Sequence, residues 1–210
     1  MIAWDLDLLH RINSEWTAPW LDYLMPALSA IDAWTPLLAV IVIIAAVRGG
    51  KRARLMLLCI ALAAGIGDGV ICKSLKAAVG RVRPRDAMNG VVIRDLAPGK
   101  PAFMRLFKAP VSKVSETPED EHTTGKSFPS SHTANMFAVA TVIALFFRGW
   151  GIVALVIAAG VAYSRVYVGA HWPSDIPPSI GIGMLIGWAT VKAVSLISRQ
   201  LQSRPSQSST

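Results

Sequence analysis

The sequence predicts an all-α fold: a polytopic transmembrane helix bundle of five or six spans, preceded by N-terminal amphipathic helices. Three observations carry the prediction. The 210 residues are 53% hydrophobic and 16% charged, against about 25% charged in average soluble domains. Apolar runs recur at 35–47, 55–79, 132–147, 150–167 and 175–195, and about 20 residues cross a hydrocarbon core. Four cations, Arg48, Lys51, Arg52 and Arg54, fill one short gap between runs, as cytoplasmic connections do. A single membrane domain covering residues 1–210 is the simplest organisation at this length.

Residues 1–34 read as an interfacial segment. Leu21, Leu24, Leu28 and Ile31 recur at helical spacing and make one apolar face, with Asp22 and Ser29 pointing elsewhere. Trp16, Trp20 and Tyr23 suit a headgroup belt, and Pro19 and Pro26 interrupt a long straight helix. A sixth span is the alternative reading. Asp5 and Asp7 stand where a signal peptide would be basic.

The first run is short and needs the approach from Trp34 to Pro36 to reach the interface. Glycines 65, 67, 69, 181, 183 and 187 fall within the runs, where membrane helices pack closely. Cys59 and Cys72 lie on one predicted helix, about 20 Å apart, too far to pair with each other. Asp68 sits about 12 Å deeper than Lys76 on that helix, which suggests a polar contact to a neighbouring helix. Lys73 is placed to line an entrance at the helix end.

Residues 80–130 form the longest polar stretch, with five prolines from Pro84 to Pro118 and an acidic run at Glu119 to Glu121. With 48–54 cytoplasmic, span counting puts this loop on the extracytoplasmic face, together with the short segment 168–174. Arg148, Lys192, Arg199 and Arg204 flank apolar ends on the cytoplasmic side. The net charge of +8 is thereby distributed as topology signals, without the aromatic and basic interleaving that binds nucleic acid. His122 beside the acidic run resembles a metal cluster, but a solvated loop explains it more simply. Trp150, Trp172 and Trp188 read as interface or packing residues, with Trp172 also close enough in sequence to touch a ligand of His171.

Three groups of reactive side chains fall at the extracytoplasmic ends. Lys76, Arg83 and Pro84 lie where a helix enters the long loop. Pro129-Ser130-Ser131-His132 opens the third run, and Ser164-Arg165 through His171 to Asp175 joins the fourth to the fifth. Lys76, Arg83 and Arg165 offer fixed positive charge, two as guanidiniums suited to bidentate phosphate contact. Ser130 and Ser131 precede a long helix and can turn free backbone N–H groups and the helix dipole toward an anion. Asp175 can hold one nitrogen of His171 and leave the other free to attack. A second histidine, His132, can then serve as acid for the leaving group.

These residues resemble the type-2 phosphatidic acid phosphatase superfamily of lipid phosphate phosphatases, with motifs K-x6-R-P, P-S-G-H and S-R-x5-H-x3-D. Lys76-AAVGRV-Arg83-Pro84 and Ser164-Arg165-VYVGA-His171-WPS-Asp175 match the first and third, while Ser131 replaces the glycine of the second. The resemblance implies a phosphohistidine on His171, oriented by Asp175, with His132 protonating the lipid oxygen. Lys76, Arg83, Ser130, the Ser131 backbone N–H and Arg165 would bind the phosphate, with no metal and no cofactor. It implies a membrane lipid phosphate as substrate: undecaprenyl diphosphate, phosphatidylglycerophosphate, phosphatidic acid or a lipid A phosphate. The compact chain points to a bacterial inner (plasma) membrane, with the site facing the periplasm or exterior. A non-enzymatic lipid or phosphate transporter is the alternative, and a vanadium haloperoxidase shares the motifs but is soluble. Nothing in the sequence speaks to oligomeric state.

Overall fold

The computed structural model describes residues 3–116 and 126–202. Pro118, the acidic run at Glu119 to Glu121, His122 and Arg204 lie outside them. The chain opens with α1 (Ala3–His10), a wide π-type turn at Arg11–Glu15, and α2 (Pro19–Ser29). A 3-10 turn at Ile31–Trp34 leads into α3 (Thr35–Arg48), followed by α4 (Gly50–Ile66). A second π-type segment, Gly67–Cys72, joins α4 to α5 (Lys73–Val79). The short α6 (Pro84–Ala87) and a hairpin of β1 (Val92–Asp95) and β2 (Val111–Val114) come next. The chain then runs through α7 (Ser131–Phe146), α8 (Arg148–Tyr167) and α9 (Ile176–Gln202).

Helix α7 is the hub, packing on α4, α8 and α9. Met56, Cys59 and Ala63 of α4 meet Ala138 and Val142 of α7 and Ile186 of α9 in one buried cluster. Phe137 and Ala140 meet Ala158 and Ala162 of α8 in another. Small residues let these backbones close up. A Cβ on Gly187 would stand 2.5 Å from the Ala138 carbonyl oxygen, and one on Gly183 would collide with that of Ala134. Such small-xxx-small contacts replace hydrophobic driving force between helices in lipid. At the rim, α3 buries none of its side chains, and its exposed Val40 to Ile44 suit contact with lipid tails.

Among the described residues, four segments have the length and apolarity to cross a membrane: Ile31–Arg48, Gly50–Ala87, Arg148–Tyr167 and Pro173–Gln200. The remaining expected run, 132–147, forms α7, whose 16 residues fall short of the usual span of about 20. The α3–α4 and α7–α8 connections share one end of the bundle. There Arg52 donates to the Phe146 carbonyl and lies 5.0 Å from the Phe147 ring. Helices α5 and α7 and the α8–α9 turn bring the reactive residues to the opposite end.

Two features modify the all-α expectation and the picture of a bare loop. Residues 80–130 contain a two-stranded antiparallel sheet pairing Val92 with Val114 and Asp95 with Val111. Its four-residue strands are too short for an alternation signal to stand out. The N-terminal helices are built into the core: Leu9, Ile12 and Met25 pack with Val166, Tyr167 and Trp172. Asp22, expected to face away, accepts from the Tyr167 hydroxyl at 2.7 Å and pairs with Arg94 at 2.7 Å. Trp16, Trp20 and Tyr23 stay exposed. Cys59 and Cys72 are free and buried.

Candidate active site

The turn between α8 and α9 sets the position of His171. Helix α8 stops because Gly169 takes φ +70°, a conformation that costs glycine nothing. A Cβ there would also press on Val91 at 2.6 Å. The Ala170 and His171 N–H groups fold back to the Arg165 carbonyl at 3.0 and 3.1 Å. Pro173, with its preset φ, then opens the 3-10 turn Pro173–Asp175 that leads into α9. Asn13 braces this corner from the N-terminal segment, donating to the Tyr167 and Val92 carbonyls at 2.7 and 2.8 Å.

His171 is 2% exposed and Asp175 fully buried. His171 Nδ1 lies 3.6 Å from Asp175 Oδ2, just beyond a hydrogen bond. The Ser127 hydroxyl donates to Asp175 Oδ2 and stands 3.4 Å from His171 Nδ1. The Trp172 N–H donates to Oδ2 at 3.1 Å, and Arg81 Nη1 to Oδ1 at 2.6 Å. Burial lowers the His171 pKa to about 4, opposed by its contact with Asp175 and reinforced by the Arg165 charge. The ring is therefore neutral near pH 7, with a lone pair available.

The third run supplies a candidate anion cradle at the start of α7. Ser130 is the N-cap, its hydroxyl accepting from the Thr133 N–H at 3.4 Å and from the Thr133 hydroxyl at 3.0 Å. Its own N–H is occupied by Ser179 Oγ at 2.9 Å, and the residue is fully buried. This corrects the expectation of a free N–H at 130. The donors left by helix geometry are those of Ser131 and His132, in the first turn. Ser131 has no positive φ, so a serine fits the glycine position without strain. Its hydroxyl accepts from Lys76 Nζ at 2.7 Å. His132 is partly buried and lies in the electrostatic field of Arg165, His171 and Lys76.

Arg83 and Arg165 are the guanidiniums of this candidate cradle. Each has a buried Nε without a hydrogen-bond partner, although buried polar groups are nearly always paired. Arg165 Nη1 is held by the Ser29 hydroxyl of α2, another contact the face assignment of α2 did not anticipate. Beside the cradle lies a cavity of about 260 Å³ lined by Asp68, Lys73, Lys76, Lys126 and Ser131. Lys73 is among the lining residues. Asp68 lines the same cavity, within the π-type segment Gly67–Cys72.

Sequence reasoning missed Asp5, Arg81, Ser127 and Ser179. Arg81 occupies a spacer position of K-x6-R-P, although the alternation Arg81, Arg83, Arg85 was a visible signal. An acid in the first turn of a short helix, such as Asp5, carries no such mark. Trp172 is a packing residue, 2% exposed, with Nε1 donating to the Val82 carbonyl at 2.8 Å and Arg81 over its ring at 5.3 Å.

A profile of the PAP2 superfamily matches residues 52–199. The lipid A 4'-phosphatase of Bacteroides thetaiotaomicron is 28% identical, over 89% of this chain and 75% of its own. The crystal structure of Aquifex aeolicus LpxE shares the fold at a TM-score of 0.62 and 23% identity, covering 91% of this chain and 96% of its own. That of a transmembrane PAP2-type phosphatidylglycerolphosphate phosphatase from Bacillus subtilis does so at 0.57 and 25%, over 93% and 86%. Bundle and relatives together define a multi-pass membrane enzyme that acts on lipid phosphates. The chain belongs to the PAP2 superfamily.

Proposed function

We propose that the chain hydrolyses a lipid-linked phosphate or diphosphate through a phosphohistidine on His171, without a metal. The observation that carries this reading is the pair of buried, unpartnered Nε donors on Arg83 and Arg165 in the same cradle as a buried neutral histidine. A phosphate between them would accept both, along with Lys76 and the first-turn N–H groups of Ser131 and His132. His171 Nε2 then places its lone pair on phosphorus as the P–O bond to the lipid breaks. His132, protonated beside the negative charge of the bound phosphate, gives its proton to the departing oxygen. Water, losing a proton to His132, attacks phosphorus in turn, and the P–N bond breaks to return its electron pair to Nε2 and release inorganic phosphate. Asp175 balances the charge that develops on the imidazole. Arg83, Lys76 and Arg165 stabilise the transferring group.

The similarity over most of the chain to a lipid A 4'-phosphatase favours a lipid A phosphate, with phosphatidylglycerophosphate and undecaprenyl diphosphate next. A cavity of about 1020 Å³ beside the hairpin, lined by Arg85, Lys100, Arg105 and Lys113 among others, offers room for a large anionic headgroup. We place the protein in a bacterial inner membrane with this end toward the periplasm or exterior, because Lys51, Arg52 and Arg54 occupy the other end.

The test is phosphate release from a panel of these lipids by purified protein in detergent, with chelator present. Metal-independent release from at least one, with lipid A phosphate preferred, is expected. Release that requires added metal, or none from any lipid phosphate, would contradict the reading.

A further inference from the structure

Asp5 and Arg81 lie outside the phosphate cradle, and the mechanism above does not use them. Arg81 is nevertheless bound to Asp175, and Asp5 to Arg81. The Arg81 guanidinium spans two fully buried carboxylates, giving Nη1 to Asp175 at 2.6 Å and Nη2 to Asp5 at 2.6 Å. Ser174 closes the ring. Its N–H and hydroxyl donate to Asp5 at 2.8 and 2.7 Å, and its oxygen accepts from Arg81 Nη1 at 2.8 Å. The Arg81 carbonyl holds the Ser127 N–H at 2.5 Å, and Ser127 is the hydroxyl that shares Asp175 with His171. Arg81 thus reaches Asp175 twice, once through its side chain and once through Ser127.

We propose that Asp5 and Arg81 are positioning residues, and that α1 is thereby part of the catalytic centre. The proposal rests on His171 acting as nucleophile with Asp175 behind it. A planar guanidinium fixed at both ends can hold a carboxylate in one orientation, where a single contact would let it swing. Asp5 does more than anchor. Alone, Arg81 would offset the Asp175 charge that must stabilise a developing imidazolium. With Asp5 opposite, the group of two carboxylates and one guanidinium keeps a net negative charge facing His171. Buried charges persist when each has such partners. The first turn of α1 therefore sets both the direction and the charge of the group behind the nucleophile.

The experiment is rapid-quench measurement of phosphoenzyme formation and steady-state kinetics for Asp5→Asn and Ser174→Ala, alone and combined with Asp175→Asn. His171→Ala serves as the control for the underlying reading. Asp5→Asn is expected to slow phosphoenzyme formation about ten-fold or more with KM nearly unchanged, as loss of an orienting partner does. Ser174→Ala, which strands no buried charge, should slow it several-fold with an unaltered thermal midpoint. In the Asp175→Asn background neither change should slow the reaction further, since both act through Asp175.

A purely structural role predicts the opposite pattern: losses that track the folded fraction and persist without Asp175. That pattern, or wild-type phosphoenzyme rates in both variants, overturns the proposal. If Asp5→Asn does not fold, the Ser174→Ala pair of measurements decides alone. Undiminished turnover in His171→Ala would instead defeat the nucleophile reading, a separate outcome.

Discussion

Lys76 Nζ donates to Ser131 Oγ at 2.7 Å, joining the end of the second span to the first turn of α7. The contact gives the Ser131 hydroxyl a partner at the position where the resembled motif P-S-G-H has glycine. The backbone there is right-handed, the N–H stays available, and the added hydroxyl takes up one of three ammonium donors.

Ser131→Gly should therefore leave hydrolysis within several-fold of wild type. It should lower stability by about 0.5–1 kcal/mol, the usual cost of glycine in a helix. Steady-state kinetics and thermal inactivation in detergent check both. Loss of activity beyond ten-fold at normal stability would show that the hydroxyl itself is needed.

Arg165→Lys should be damaging despite keeping the charge. A lysine supplies no Nε–H beside the phosphate and no planar fork to hold both Ser29 and substrate. We expect kcat/KM to fall about 100-fold, equivalent to roughly 3 kcal/mol of transition-state stabilisation. Inhibition by inorganic phosphate should weaken in parallel. Unchanged phosphate inhibition would remove Arg165 from the cradle.

Burial of His171 has a consequence for pH. A histidine in an unfolded chain protonates near about 6.5, whereas His171 stays neutral down to about 4. Between those values the unfolded chain binds a proton that the folded chain does not, so this group subtracts stability as pH falls through that window. Histidine-ring NMR in micelles, with the His171 signal assigned by its loss in His171→Gln, should show a titration near 4. A midpoint at or above 6.5 would contradict the buried neutral nucleophile.

The α7–α9 contact should be as intolerant as its spacing implies. Gly183→Leu drives a side chain into the Ala134 backbone, whereas a Cβ at Gly181 meets nothing within 4 Å. The first should reduce stability by about 1–3 kcal/mol or more and displace His132. Gly181→Leu should be tolerated. Equal thermal inactivation of the two would refute the close packing.

The motif residues and the order of apolar runs were readable because both are local patterns. Lys76, Arg83, Ser131, His132, Arg165 and His171 sit at helix ends that the hydropathy marks, and antiparallel helices bring those ends together. Three other features left no such trace. The π-type turn at Gly67–Cys72 changes helix phase without changing hydropathy. The hairpin strands are four residues each. In the N-terminal segment, the apolar stripe of an interfacial helix and that of a helix docked on a bundle look alike. Only tertiary contact reveals that Asp5 and Asn13 are buried partners of residues more than 70 positions away. Ser130 illustrates the converse: its identity suits an N-cap and a phosphate ligand equally, and the fold gives its N–H to Ser179.

The central claim is that phosphate passes through His171. Rapid-quench of purified protein with lipid carrying radiolabelled phosphate should trap acid-labile, base-stable label on the wild-type chain, and none on His171→Ala folded to the same thermal midpoint. Label on the alanine variant, or turnover by the wild-type protein with no trapped label at any quench time, would contradict it.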